Sequence, residues 1–171
     1  QALYGLVSIK RMAEGKNNLY DMSDAISLVE TTKEEFGLAG KHSDVKKTNI
    51  VDKEKTFADI LGHKNQTVIE ALVSRGIING KTINSYEPNS TMTRAEFTAI
   101  VTRGLGLSGK NNSVFSDVEA SKWYYDNVNT ARFYGIIKGL SENTFNPNGK
   151  ITREEAAVMI SRASELCGIE T

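Results

Sequence analysis

Two arginines, Arg94 and Arg153, occupy the fourth position of two similar seven-residue phrases of the sequence, "TMTRAEF" and "KITREEA". In both phrases a threonine precedes the arginine and a glutamate follows two residues after it, directly before a pattern typical of a helix. Threonine and glutamate at this spacing form a capping box, in which each side chain accepts a hydrogen bond from the other residue's backbone N–H. The phrases therefore predict two helix starts, each with an arginine as the first helical residue.

An arginine at this position is not needed for capping, and it suggests a binding chemistry. A cation there faces the positive end of the helix dipole, at a cost of about 0.3–1 kcal/mol. The same place offers free backbone N–H groups that suit an anion, and a guanidinium grips a carboxylate or phosphate with two parallel hydrogen bonds. The pattern is compatible with an anion site at Arg94 and Arg153. A salt bridge to a neighbouring acid such as Asp59 or Asp117 explains it equally well.

The overall composition excludes several classes of protein. The 171 residues carry 21 Lys+Arg and 21 Asp+Glu, so the formal net charge is zero, which argues against a nucleic-acid partner. The apolar runs are too short to cross a bilayer, so we expect no membrane insertion. Cys167 is the only cysteine and the two histidines lie in unrelated contexts, so we expect no metal site and no cofactor. The sequence starts without Met, which we interpret as the sign of a fragment.

No constellation of catalytic residues is visible. The sequence contains no GxSxG, HExxH or phosphate-loop motif. A glycoside hydrolase needs two acids about 5–10 Å apart across a cleft, and no isolated pair is marked out here. We therefore predict that this part of the chain is not an enzyme and has no catalytic residues.

The elements that position the two arginines form an internal repeat, residues 57–107 and 115–166. The segment "RGIING" in the first copy answers to "YGIIKG" in the second, and "SYEPN" answers to "TFNPN". The only two prolines of the chain, Pro88 and Pro147, occupy the same repeat position. The apolar spacing predicts two helices in each copy and an all-α fold, with the helices at residues 65–75, 94–105, 123–134 and 153–166.

At these residues the chain resembles a known family. FxDV, a tryptophan, GII(K/N)G, (T/S)(F/Y)xPN and (I/M)TR(A/E)E, in that order, are similar to the S-layer homology motif, and the second copy is the closer match. The resemblance implies helix–loop–helix repeats packed as a pseudo-threefold bundle, of which two copies make a partial trimer. It also implies a third repeat downstream of Thr171.

The resemblance further implies a function and a set of site residues. Such repeats hold exported proteins non-covalently on the bacterial cell wall, by binding an acidic secondary cell-wall polysaccharide that carries a pyruvate ketal. The protein is then secreted and lies at the cell wall or S-layer surface. The positions that match the family's motif are Arg94, Arg153, Asp59, Asp117, Trp123, Tyr124, Gly80 and Gly139.

Some observations leave alternatives open. The first copy has Lys64 where the motif usually has tryptophan, so its groove would lack a stacking face. Trp123 is explained equally well by packing at a seam between repeats. The alternative functions are a structural or protein-interaction repeat module and a fragment of a cell-surface glycan hydrolase.

The residues before the repeats are less informative. Residues 1–25 resemble the end of an α/α toroid of the prenyltransferase/squalene-oxidase type, which implies another domain upstream. Residues 26–56 are polar and charged, and we predict a linker with little core. Because repeats of this kind bury their apolar stripes against one another, we expect two copies alone to self-associate or to pack on the N-terminal segment.

Overall fold

The computed structural model describes residues 40–110 and 115–169. Their regular structure is helical, and the only β-type pairing in these two ranges is an isolated bridge between Thr93 and Lys150. The all-α prediction is confirmed. A 3-10 turn at Ala58–Ile60 precedes four helices: α1 (Gln66–Val73), α2 (Arg94–Gly104), α3 (Tyr125–Phe133) and α4 (Arg153–Leu166). None of the described helices is both long and apolar enough to span a bilayer.

The predicted starts of α2 and α4 are confirmed. The Thr93 hydroxyl accepts from the Glu96 N–H at 3.2 Å and the Glu96 carboxylate accepts from the Thr93 N–H at 2.7 Å. Thr152 and Glu155 form the same box at 3.2 and 3.0 Å. The helices α1 and α3 begin one and two residues later than predicted, and no side chain caps their N-termini. They end two residues and one residue earlier than predicted.

An aspartate organises the loop between the two helices of each copy. The Asp117 carboxylate accepts from the backbone N–H groups of Phe145 and Asn146 at 2.9 and 2.6 Å. Asp59 binds the corresponding N–H groups of the first copy at 3.0 and 2.7 Å and also accepts from a serine hydroxyl. These bonds hold the residue before each proline in the left-handed region, with φ of 59° at Asn146 and 60° at Glu87.

Each copy has its own cluster of buried apolar side chains. The cluster of the first copy is formed by Phe57, Ile60, Ile69, Val73, Ile77 and Ile78. The cluster of the second copy is larger, because Ala95 and Leu107 of the first copy and Val45 from the preceding segment pack into it. The two copies therefore share part of one core.

The segment 40–52, which we call the strap, crosses the C-terminal ends of three helices. Its backbone N–H groups supply the hydrogen bonds that helix ends lack. The donors His42, Lys46 and Val51 bind the carbonyls of Leu166, Leu105 and Ser74 at 2.8, 2.9 and 2.7 Å. The sequence predicted a linker with little core, and Val45 is the one buried side chain of the strap, but its backbone hydrogen bonds hold the segment on the helix ends. The predicted helical end of an upstream domain, residues 1–25, lies outside the described residues.

Candidate functional site

The arginine of the first copy, Arg94, is buried at the junction of the two copies. Its side chain is 5% exposed. Its Nε donates to the Phe145 carbonyl at 2.9 Å, its Nη1 forms an ion pair with Glu155, and its guanidinium lies 4.8 Å from the centroid of the Phe145 ring. The guanidinium thus contacts a carbonyl, a carboxylate and an aromatic ring, all of which belong to the second copy.

The N-terminus of α2 is also occupied. The N–H groups of Arg94 and Ala95 donate to the carbonyls of Gly149 and Pro147 at 2.8 and 3.0 Å. The prediction of an open anion site at this helix start is therefore wrong for the first copy. The salt-bridge alternative holds in kind, but the acid is Glu155 of the other copy and neither Asp59 nor Asp117.

Four of the predicted site residues have a structural role that is visible directly. Asp59 and Asp117 use their carboxylates within their loops, as described above. A Cβ added at Gly80 would lie 2.5 Å from the Ser85 carbonyl oxygen, and one at Gly139 would lie 2.6 Å from the Thr144 carbonyl oxygen. These positions need glycine because backbone carbonyls approach them closely. A contact of any of the four with a ligand stays a prediction.

The arginine of the second copy, Arg153, has a different environment. It is exposed, and neither its side chain nor its backbone N–H bonds to any residue in the described part of the chain. The pKa of the neighbouring Glu154 is lowered by its own backbone N–H and by the Thr152 hydroxyl. Arg153 is thus an exposed cation at a helix start, and its contact with a ligand stays a prediction.

The two aromatic residues predicted for the site differ in exposure. Tyr124 is 5% exposed and belongs to the core of the second copy, whereas 58% of Trp123 is exposed. The two rings meet edge to face, with centroids 5.3 Å apart. Trp123 therefore exposes part of its indole ring to a ligand, and the buried Tyr124 ring packs against it.

A groove of about 420 Å³ brings Trp123 and Gly80 together. Its floor is the face of α2 that carries Glu96, Ile100 and Arg103, which are spaced so that they lie on one side of a helix. One wall is the loop of the first copy, from Ile78 to Met92. The second copy contributes Trp123 to the Arg103 end, so neither copy forms the groove alone.

Arg103 is the cation of this groove, and the sequence analysis missed it. Its guanidinium lies 5.7 Å from the centroid of the Trp123 ring. Its Nη1 is 3.2 Å from the side-chain oxygen of Asn79 when that amide is oriented to satisfy its neighbours. Burial lowers the pKa of Arg103, and no described carboxylate forms an ion pair with it. The spacing of Glu96, Ile100 and Arg103 along α2 was the signal that could have revealed it.

The opposite end of the groove holds a compensated pair. Lys81 forms an ion pair with Glu96, the capping-box residue of α2. Burial acts to raise the pKa of Glu96, but the hydrogen bond from Lys81 leaves it below its usual value. The groove is therefore asymmetric, with an unpaired cation at one end and a neutralised pair at the other.

The comparison with known families identifies the repeats. The sequence profile of the S-layer homology domain matches residues 56–98 and 114–157, which is about half of the chain. The chain therefore belongs to the S-layer homology family, and it contains two copies of the domain.

Several curated proteins share this region. An amylopullulanase of Thermoanaerobacterium thermosulfurigenes is 45% identical over 114 residues, 66% of this chain and 6% of that protein. Exoglucanase XynX of Acetivibrio thermocellus is 41% identical over 122 residues, 71% of this chain and 11% of that protein. The surface-layer 125 kDa protein of Lysinibacillus sphaericus is 38% identical over 112 residues, 66% of this chain and 9% of that protein. The chain thus spans between 6% and 11% of each of these relatives.

These findings define the role of the described region at a coarse level. S-layer homology domains anchor proteins to the bacterial cell envelope. The relatives include surface-layer proteins and a middle cell wall protein. The chain is therefore part of a bacterial cell-surface protein.

Proposed function

We propose that the groove between the two copies binds an acidic glycan of the cell wall and so holds the protein at the cell surface. The observation that supports this is the half-buried Arg103 guanidinium, which lies over the exposed Trp123 without a carboxylate partner among the described residues. A cation held in this way is available for an anionic group of the ligand.

The chemistry of the groove suits a sugar that carries a carboxylate. The flat indole of Trp123 offers an apolar face against which a sugar ring can stack, and the Arg103 fork can bind a carboxylate with two parallel hydrogen bonds. The volume of about 420 Å³ lies in the range of small-ligand sites and is large enough for one or two sugar units. A pyruvate ketal on the sugar would supply the carboxylate.

The geometry changes which arginine we assign to the ligand. Arg94 is removed, because its guanidinium and helix start are bound to the second copy. Because Arg94 binds another repeat, we expect its equivalent Arg153 to bind protein as well. We therefore propose that Arg103 binds the carboxylate of the ligand. Trp123 and Gly80 remain assigned to the site, since both line the groove. A third repeat downstream and a helical toroid upstream stay predictions about the longer protein.

We propose no catalytic role for this region. The relatives that share it include proteins named as an amylopullulanase, an exoglucanase and an endo-1,4-β-xylanase, as well as surface-layer proteins. What they have in common covers about a tenth of each protein or less and accompanies different activities. A shared attachment function accounts for this distribution better than a shared reaction.

The experiment is a titration of the chain with purified wall polysaccharide. Trp123 is the only tryptophan, so its fluorescence reports on the groove directly, and calorimetry gives the affinity. Arg103→Ala is expected to weaken binding by about 1.5–3 kcal/mol, the range for a hydrogen bond to a charged group. Arg103→Lys should recover only part of the loss, because a lysine lacks the planar fork.

The matched control is Arg162→Ala, since Arg162 occupies the same position of α4, and its one hydrogen bond within the described residues goes to the Ile136 carbonyl, at 3.4 Å. It should leave the affinity unchanged, as should Arg153→Ala. Polysaccharide from which the pyruvate has been removed should bind the wild type as weakly as intact polysaccharide binds Arg103→Ala. Unchanged affinity of Arg103→Ala together with loss of binding in Arg153→Ala would overturn the assignment.

A further inference from the structure

The loops of the two copies differ at a position that is in contact with the groove arginine. Asn79 of "RGIING" and Lys138 of "YGIIKG" hold the same repeat position, and Arg103 and Arg162 are likewise equivalent to each other. The Nη1 atom of Arg103 donates to the Asn79 side-chain oxygen at 3.2 Å. Arg162 donates instead to the main-chain carbonyl of Ile136 at 3.4 Å. The arginine thus has a side-chain acceptor in the copy with asparagine and a main-chain acceptor in the copy with lysine.

The Asn79 amide is held in place by its own two hydrogen bonds and by a tight backbone. Its NH2 group donates to the Ile78 carbonyl at 3.1 Å, and its oxygen accepts from Arg103. The Ile78 side chain is buried, and a Cβ at the next residue, Gly80, would lie 2.5 Å from two backbone carbonyl oxygens. The backbone that carries Asn79 therefore has little freedom. An amide can donate and accept at the same time, whereas a lysine only donates.

A neutral partner orients Arg103 without cancelling its charge. A carboxylate partner cancels the charge, as Glu155 does for Arg94 at the junction of the two copies. Asn79 binds one arm of the Arg103 fork, and this side chain makes no other hydrogen bond or ion pair in the described part of the chain. The guanidinium lies 5.7 Å from the centroid of the Trp123 ring. Its other N–H donors and its positive charge therefore remain available in the groove.

We propose that Asn79 is a positioning residue of the groove, which holds the Arg103 fork beside the Trp123 ring and makes the groove selective for a carboxylate. This inference rests on the proposed function, since it concerns the arginine to which the glycan carboxylate is assigned. A carboxylate has two oxygens that match the fork and the charge, whereas a neutral sugar lacks this charge-assisted pair of hydrogen bonds. Selectivity for the acidic glycan then depends on the neutral amide as well as on the arginine.

Two substitutions separate the orientation of Arg103 from its charge. Asn79→Asp has nearly the same size and keeps an acceptor for Arg103, but its carboxylate pairs with the guanidinium. Asn79→Lys introduces the residue of the second copy, which removes the acceptor and adds a positive charge. If general attraction of the acidic glycan decided the affinity, Asn79→Lys would bind more tightly than the wild type. If the orientation of Arg103 decides it, that variant binds more weakly.

Calorimetry with purified, pyruvate-bearing wall polysaccharide measures the affinity. Asn79→Asp is expected to weaken binding about ten- to hundredfold, the scale of a hydrogen bond to a charged group, because its carboxylate competes with that of the ligand. Asn79→Lys should weaken binding about two- to tenfold, the scale of one hydrogen bond. With polysaccharide from which the pyruvate has been removed, both variants should bind as weakly as the wild type does.

The matched controls are Asn84→Asp and Asn84→Lys. Asn84 is exposed on the same loop and does not line the groove. The substitutions change the charge as those of Asn79 do, so they measure the contribution of general electrostatics, which solvent ions screen. We expect either control to change the affinity by less than about twofold. Thermal denaturation shows whether each variant folds as the wild type does.

A measurement without glycan tests the positioning alone. Trp123 is the only tryptophan, and iodide, an anion, should quench its fluorescence more effectively when a free cation attracts it to the ring. Acrylamide, which is neutral, corrects for the exposure of the ring. Arg103→Ala and Asn79→Asp should both lower the ratio of iodide quenching to acrylamide quenching. Asn84→Asp should leave that ratio close to the wild-type value.

The two measurements distinguish the possible failures. A quenching ratio that falls in Arg103→Ala but not in Asn79→Asp overturns the inference, because the carboxylate then does not pair with the arginine. Tighter binding of the glycan by Asn79→Lys also overturns it, as does an affinity of Asn79→Asp equal to that of Asn84→Asp. If Asn79→Asp lowers the quenching ratio while Arg103→Ala keeps the full affinity for the glycan, the proposed function fails, and the inferred selectivity fails with it.

Discussion

The same arginine of the same phrase has two environments in this molecule. In the first copy the Arg94 guanidinium is enclosed by a carbonyl, a ring and a carboxylate of the second copy. In the second copy Arg153 is exposed and forms no hydrogen bond or ion pair with a described residue. The capping boxes around them are identical in kind, so the local sequence determines the helix start. What the arginine does is determined by the repeat that lies next to it.

The groove also depends on both copies. Its floor and one wall belong to the first copy, but the indole that faces Arg103 comes from the second. The first copy has Lys64 at the position of Trp123, and that lysine is exposed ahead of α1. A groove is therefore formed by two adjacent repeats. It has an aromatic face only if the later repeat has an aromatic residue at the position of Trp123.

The largest effect that this comparison predicts is on the free energy of unfolding, when each of the two arginines is replaced by alanine. Arg94→Ala is expected to lower the free energy of unfolding by about 3 kcal/mol, because it leaves Glu155 and the Phe145 carbonyl without their partner in a mostly buried junction. Arg153→Ala should change it by no more than about 0.5 kcal/mol, as for other exposed positions. Urea denaturation at a concentration where the chain is monomeric measures both. Equal effects of the two substitutions would contradict the distinction.

A second test concerns a feature that the two copies share, the glycine in the loop of each copy. Gly80→Ala and Gly139→Ala should each lower the free energy of unfolding by about 1–3 kcal/mol, because the new methyl group meets backbone oxygen and a phenylalanine ring in both loops. Thermal denaturation compares them. Gly109→Ala is the control for space around the Cβ, since nothing lies within 4 Å of that position, although its φ of 74° adds backbone strain. If both loop variants keep the stability of the wild type, the loops do not require glycine at these positions.

The sequence predicted those features that depend on neighbours along the chain. The capping boxes of α2 and α4 involve residues three apart, and the structure contains both. The family resemblance, which the profile match confirms, also rested on short motifs. These elements are encoded locally, so one sequence suffices to find them.

Features that depend on contacts between distant segments were missed. The strap was predicted as a linker because its side chains are polar, but it is held by its backbone N–H groups on helix ends, which composition does not reveal. The sequence left an anion and a neighbouring acid as equal alternatives for Arg94, and it did not identify Glu155 because that residue belongs to the next copy. Arg103 was overlooked because its significance depends on Trp123, which reaches it only in the folded pair.

The smallest expected effect concerns how the strap is attached to the two copies. At the end of α3, the Tyr134 hydroxyl donates to the Asp44 carboxylate of the strap at 2.5 Å, and the His42 ring meets the tyrosine ring edge to face at 5.4 Å. The first copy has Arg75 at the position of Tyr134, and its guanidinium binds the Ala71 carbonyl of its own helix. The tyrosine contact is therefore a feature of the second copy alone.

The hydrogen bond to Asp44 raises the pKa of Tyr134 to about 12, and the same bond lowers the pKa of Asp44. A raised tyrosine pKa contributes stability that is fully present below the ordinary value of 10.0 and is lost as pH rises through about 12. The lowered carboxyl pKa contributes stability that is present above 3.8 and is lost as pH falls further. Burial also raises the pKa of Tyr86, whereas the step of Tyr134 near 12 is the one that depends on Asp44. Ultraviolet titration of the tyrosinates should therefore show a late step that Tyr134→Phe removes and Asp44→Asn moves toward 10. If Asp44→Asn leaves that step in place, the strap is not held by this bond.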